Sequence, residues 1–151
     1  MVRGIAFFIA LLVVGFFAYV HYYNEQPNDL GVTDGLLKAC PTSPNCVSSQ
    51  ADRSDEVHYV ESIIYRENRK DVQLSLESFL LNQGNARVVS STLGYVHLEI
   101  KSKYIGYIDD VEFYLPEADS VIHVRSASRV GYSDVGVNRE RVEQVRAFLA
   151  Q

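Results

Sequence analysis

The sequence predicts an α+β domain, a twisted antiparallel sheet with two helices on one face, preceded by one transmembrane helix. Three observations carry this. Residues 4–23 are apolar or aromatic except for His21, several later segments alternate apolar and polar residues with period two, and two segments repeat apolar residues at helical spacing.

Residues 4–23 would form a helix about 30 Å long, the thickness of a bilayer's hydrocarbon core. A secretory signal would have a shorter apolar core ending in small residues. The exit here reads Phe16-Phe17-Ala18-Tyr19-Val20, so residues 1–23 are expected to be an uncleaved anchor. Tyr19, Tyr22 and Tyr23 suit the head-group level. Arg3 precedes the span and the next basic residue is Lys38. That asymmetry predicts a single-pass cell-membrane protein, N-terminus cytoplasmic and domain extracytoplasmic, which in a bacterium is periplasmic. Leu37-Lys38-Ala39-Cys40 imitates a lipidation box but lies too far beyond Tyr23 to serve as one.

Residues 24–35 are polar, carry Pro27 and Gly31 and show no apolar period. They read as a tether that lifts a soluble domain, residues 36–151, off the bilayer. Residues 57–65, rich in β-branched and aromatic side chains, read as a first strand. Residues 71–82 place Val72, Leu76, Phe79 and Leu80 on one helical face, with Gly84 as a stop. Residues 86–92, 95–101, 109–115 and 120–128 read as four strands joined by short turns, which favours antiparallel neighbours. A last helix starts at Asn138, a suitable cap, and aligns Val142, Val145, Phe148 and Leu149. The order is β-α-β-β-β-β-α, that of helix-grip and TATA-binding-protein-like domains. In the hairpin of residues 109–128, a four-residue loop would pair Phe113 with Ile122 and Val111 with Val124. It would set Glu112 opposite His123 and Asp110 opposite Arg125.

The formal charge is −5, and leaving out Arg3 gives 13 basic against 19 acidic residues, or −6, for the remainder. No basic run exists, so nucleic acid is not an expected partner, and the acidity argues against a domain lying flat on anionic lipid. Cys40 and Cys46 bracket five residues and in an oxidising compartment should form a structural disulfide. Neither redox C-x-x-C spacing nor a recognisable second pair of zinc ligands is present. His97 and Glu99 share a strand face and with His123 could serve acid/base or metal chemistry; the competing reading is a solvated polar face. Neither H-E-x-x-H nor G-x-S-x-G occurs, and no cofactor or metal is expected.

The densest polar segment runs from Arg125 to Arg139. Arg125, Ser126, Ser128, Arg129, Tyr132, Asn138 and Arg139 could grip an anion ahead of a helix N-terminus, with Asp109, Asp110 and Asp134 as supporting carboxylates. The alternative is structural, with Arg129 and Arg139 pairing with Asp134 and the surface of the helix at 71–82. A non-enzymatic binding module for an anionic small molecule or lipid head group is therefore the first expectation. The alternatives are an envelope hydrolase using Asp109, Asp110 or His123, and a membrane scaffold with an unspecified protein partner. Asp109 and Asp110 are adjacent on a strand and should point to opposite faces, which counts against a carboxylate dyad.

Three ordered segments, Cys40-Pro41 with Pro44-Asn45-Cys46-Val47-Ser48-Ser49, then Ile108-Asp109-Asp110-Val111-Glu112, then Arg125 to Arg139 with Arg141, resemble the family catalogued as domain of unknown function 1499. The resemblance spans residues 37–149. It implies a bacterial envelope or plastid protein and brings no activity, cofactor or catalytic residue.

Overall fold

The computed structural model describes residues 2–151. The first element is a continuous helix, α1 (Val2–Tyr23), whose large apolar side chains from Ile5 to Tyr23 are exposed except at Val20. It is long and apolar enough to cross a membrane, a property that spans and signal segments share.

The sheet has six antiparallel strands: β1 (Cys46–Ser48), β2 (Ile63–Ile64), β3 (Ala86–Thr92), β4 (Tyr95–Lys101), β5 (Ile108–Tyr114) and β6 (Val121–Ser128). Their order is β1-β6-β5-β4-β3. β1 and β2 share one edge of β6, β1 against residues 125–127 and β2 against Val121 and Ile122. Alternation along β4, β5 and β6 sends Val96, Leu98, Ile100, Val111, Phe113, Ile122 and Val124 to one face, where all are buried. Over that face lie α2 (Arg69–Leu81) and α3 (Val137–Leu149), contributing Val72, Leu76, Leu80, Val142 and Val145 to the same core. Asn68 caps α2 by accepting the N–H of Lys70 at 2.9 Å.

Four expectations need correction. Of residues 57–65 only Ile63–Ile64 pairs as a strand; Tyr59 makes an isolated bridge to Ser48, while the unforeseen β1 occupies the edge of β6. Three residues in a turn-rich segment are too few to show a period. α3 starts at Val137, after Gly136 in a left-handed conformation (φ 85°) that suits glycine. Asp134 reaches over to accept the N–H groups of Gly136 and Asn138 at 3.1 and 2.7 Å, so the expected cap, Asn138, lies inside the helix with its side chain buried. The β5–β6 register differs from expectation by two residues: Phe113 faces Val124, Glu112 faces Arg125 and Tyr114 faces His123. Leu115 and Ser120 belong to the loop because their carbonyls serve other partners. Arg69 donates twice to Leu115 O, and Tyr65 N–H donates to Ser120 O. An even slip keeps every side chain on its face, so the apolar set is buried together as expected.

The fourth correction concerns the tether. The side chain of Asn24 donates to Gly106 O (2.7 Å) and accepts from Ile108 N–H (3.1 Å), Gly31 N–H donates to Glu112 Oε1 (2.9 Å), and Leu37 N–H donates to Gln50 Oε1 (2.7 Å). Asn24 and Gly31 thus fasten the segment to the domain, and the sheet face opposite the helices is covered, not solvated.

Leu76 is fully buried between α2 and the sheet, and Leu93 sits exposed in the β3–β4 turn. Leu76→Ala should lower stability by about 2–5 kcal/mol, and Leu93→Ala by less than about 0.5 kcal/mol, in thermal unfolding of the detergent-solubilised protein.

Candidate functional site: an ionic layer beneath the sheet

The face of the sheet away from the helices carries charge at strand-interior positions. Arg129, just beyond β6, donates from Nε to Asp110 Oδ2 (2.8 Å) and from Nη2 to Asp110 Oδ1 (2.7 Å) and Glu99 Oε1 (2.6 Å). Its Nη1 donates to the carbonyl of Asn24 at 2.9 Å. His97 Nε2 donates to Asp110 Oδ1 at 2.7 Å, which sets the imidazole tautomer. Farther along, Glu112 accepts from Tyr95 Oη (2.9 Å), from Gly31 N–H and from Arg125 Nη1 (3.3 Å). Arg87 completes the layer through Glu99. Two buried arginines, Arg125 and Arg129, thus meet three buried carboxylates, and the exposed Arg87 supplies the third positive charge from the rim. Glu112 is wholly buried, and Arg125, Asp110 and His97 nearly so.

Burial is the largest influence on Asp110 and Glu99 and pushes both carboxyls upward. Hydrogen bonds from Arg129, with those from His97 to Asp110 and from Arg87 to Glu99, outweigh it and hold both below their ordinary values. Burial also raises the Tyr95 phenol and lowers His123.

A second polar cluster lies on the helix side. Arg141 donates to Asp109 Oδ2 (2.6 Å), Ser126 Oγ (2.9 Å) and Asn138 Oδ1 (2.5 Å). Asn138 Nδ2 donates to Ser128 Oγ and to the carbonyl of Asn45, next to the Cys40–Cys46 disulfide, whose Cα atoms are 5.7 Å apart.

The residues expected to form one anion site are thereby separated. Arg125 and Arg129 lie in the ionic layer; Ser126, Ser128 and Asn138 lie on the helix side; Tyr132 is exposed in the β6–α3 loop. Arg139 donates to the carbonyls of Glu56, Val57 and Tyr59. Asp134 binds backbone N–H groups and pairs with neither Arg129 nor Arg139. Asp109 and Asp110 do point to opposite faces, each held by its own arginine. His97 and Glu99 share a buried face with Arg129, while His123 stacks on Tyr114 at 6.1 Å and bonds Ser49, outside that cluster. Among the described residues no group of three or more His, Cys, Asp and Glu side chains is placed to hold a metal. Arg141, Asn45, Tyr95 and Glu112 went unrecognised as site residues. Glu112 had one signal, a carboxylate at the centre of an apolar strand.

Two clefts border this framework. One, about 350 Å³, lies beside the disulfide, with Ser48, Gln50 and His58 in its wall. Both ring nitrogens of His58 are engaged there, Nδ1 with Asp55 (2.7 Å) and Nε2 with Ser43 O (3.2 Å). The other, about 600 Å³, opens between the last turns of α1 and the β4–β5 loop. Phe17, Val20 and Ile105 line it together with His21, Glu25 and Lys101.

An α+β domain with a disulfide-pinned edge, an ionic layer under its sheet and a membrane-length helix fastened to that layer is the class these features define. The chain belongs to the family described as protein of unknown function (DUF1499), whose model matches residues 36–149. No curated protein and no solved structure matches it. The matched residues contain both polar clusters and the disulfide, whereas Asn24 and Gly31 precede them.

Arg129→Ala strands two buried carboxylates and should lower stability by about 3–5 kcal/mol in thermal unfolding. Since folding lowers the Asp110 and Glu99 values, the stability they contribute is present above the ordinary 3.8 and 4.5 and is lost as pH falls through the lowered values. The wild-type melting temperature should therefore hold at pH values above the ordinary 4.5 and drop in more acid solution, with a shallower drop in Asp110→Asn. Replacing both cysteines by serine should lower stability by about 2 kcal/mol, read by the same melts.

Proposed function

We propose that the protein is a membrane-anchored, non-enzymatic module on the extracytoplasmic side of a cell membrane, and that it binds an anionic lipid head group in the cleft beside α1. The position and lining of that cleft carry the reading. It opens where α1 would leave the bilayer, and its wall combines the exposed apolar side chains of Phe17 and Ile105 with His21 and Lys101, alongside one carboxylate, Glu25. Two of the chain's four lysines, Lys101 at the end of β4 and Lys103 in the loop that follows, stand here although the chain as a whole is acidic.

Several features support the non-enzymatic part. The carboxylates that a hydrolase would use, Asp109 and Asp110, are each closed off by an arginine on a different face. An external anion at Arg125 or Arg129 would have to displace Glu112, or Asp110 and Glu99 together. The segment from Arg125 to Arg139 accordingly serves as the frame that holds the cleft's walls, through Arg129 and Asn24. The disulfide and the placement of Arg3 before α1 support an oxidising compartment for the domain.

Native mass spectrometry of protein extracted in mild detergent is the test. The wild type should carry anionic phospholipid, and Lys101→Glu with Lys103→Glu should lose it with an unchanged melting temperature, since both lysines are exposed. Equal retention by the double variant refutes the head-group site.

A further inference from the structure

We infer that the β4–β5 loop, residues 102–107, and the β6–α3 loop, residues 129–136, together sit in the interfacial zone of the leaflet from which α1 emerges. The inference rests on α1 spanning the bilayer, as proposed above, but not on the head-group site.

The connection between α1 and the sheet has no slack. Asn24 follows the last helical residue, and its side chain and carbonyl are bonded to Gly106, Ile108 and Arg129, while Val20, one turn earlier, is 3% exposed. Wherever α1 leaves the hydrocarbon, the β4–β5 loop is therefore beside it. Ile105 of that loop lines one cleft with Phe17, His21 and Tyr22 of the helix.

The side chains at these loop tips are those of an interface and not of a water-facing surface. Tyr104 is 85% exposed, Tyr132 76% and Val135 93%. Val135 also holds a left-handed backbone (φ 58°), with its N–H donating to Ser133 Oγ at 3.3 Å, which leaves its side chain projecting from the loop. The two loops adjoin, since Ser102 and Tyr107 of the first line one cavity with Ser133 and Val135 of the second. Tyrosine rings and valine insert at the head-group boundary, and Lys101 and Lys103 flank them at the level of the phosphates. The occupant of this surface is the bilayer itself, because the anchor brings it there.

The chain contains no tryptophan, so single tryptophan variants report cleanly. Full-length Tyr104→Trp, Val135→Trp, Leu93→Trp and Leu12→Trp would be placed in nanodiscs of zwitterionic lipid brominated near the glycerol end of the acyl chain. Leu93 lies in the turn at the opposite end of β4. Tyr104→Trp and Val135→Trp should show blue-shifted emission and about threefold stronger bromine quenching than Leu93→Trp. Water-like, unquenched emission from both, with Leu12→Trp quenched by deeply brominated lipid, overturns the loop inference and leaves the anchor standing. Failure of Leu12→Trp to quench in that lipid overturns the anchor and this inference with it.

Discussion

The guanidinium of Arg129 is the point on which the polar side of this molecule depends. Through Glu99 and Asp110 it holds β4 and β5, and through the carbonyl of Asn24 it holds the residue that follows α1. Burying so much charge contributes little net stability, because desolvation consumes most of the Coulombic gain. What it supplies is selection among arrangements that hydrophobicity cannot tell apart. An odd slip of β5 on β6 throws the apolar set into water, but a slip of two residues does not. The observed register is the one that sets Arg125 beside Glu112, and it lets Arg69 take the carbonyl of Leu115.

Asp109 and Asp110 make the start of β5 a junction between the two sides of the sheet. Consecutive residues of a strand point oppositely, so one carboxylate meets Arg141 of α3 and the other meets Arg129. Through Arg141 the first reaches Asn138, Asn45 and the disulfide-bearing edge; through Arg129 the second reaches the end of α1. A pair that looks catalytic on paper is here a two-sided fastening. The same sequence feature supports both readings until the strand's faces are known.

Elements with a strong period were legible. α1, α2, α3 and the four strands β3 to β6 lie within a few residues of where periodicity puts them, and the disulfide joins the expected cysteines. β1 was invisible because three residues have no period, and residues 57–65 misled because β-branched composition also suits an extended edge that mostly does not pair. The ionic layer was half legible: His97, Glu99, Asp110, Glu112 and Arg125 stood at alternate strand positions. Their burial depends on residues 24–37 crossing that face, and a polar stretch with Pro27 and Gly31 carries no mark distinguishing a free linker from a cover. Asn24 and Gly31 act through a short side chain and a backbone N–H, which composition does not single out.

With α1 in a bilayer, as proposed, the bonding of Asn24 would leave the domain no hinge at the membrane. A helix on a flexible leash can tilt without turning its cargo, but a sheet bonded to Asn24 in this way would turn with the helix. Spanning helices tilt by about 20° on average and tilt more in thinner bilayers. Across the seven residues of β4, some 20 Å of strand, a tilt of that size displaces the far end by about 7 Å. The domain would then act as a rigid pointer whose height and bearing above the lipid are set by the thickness of the membrane that holds it.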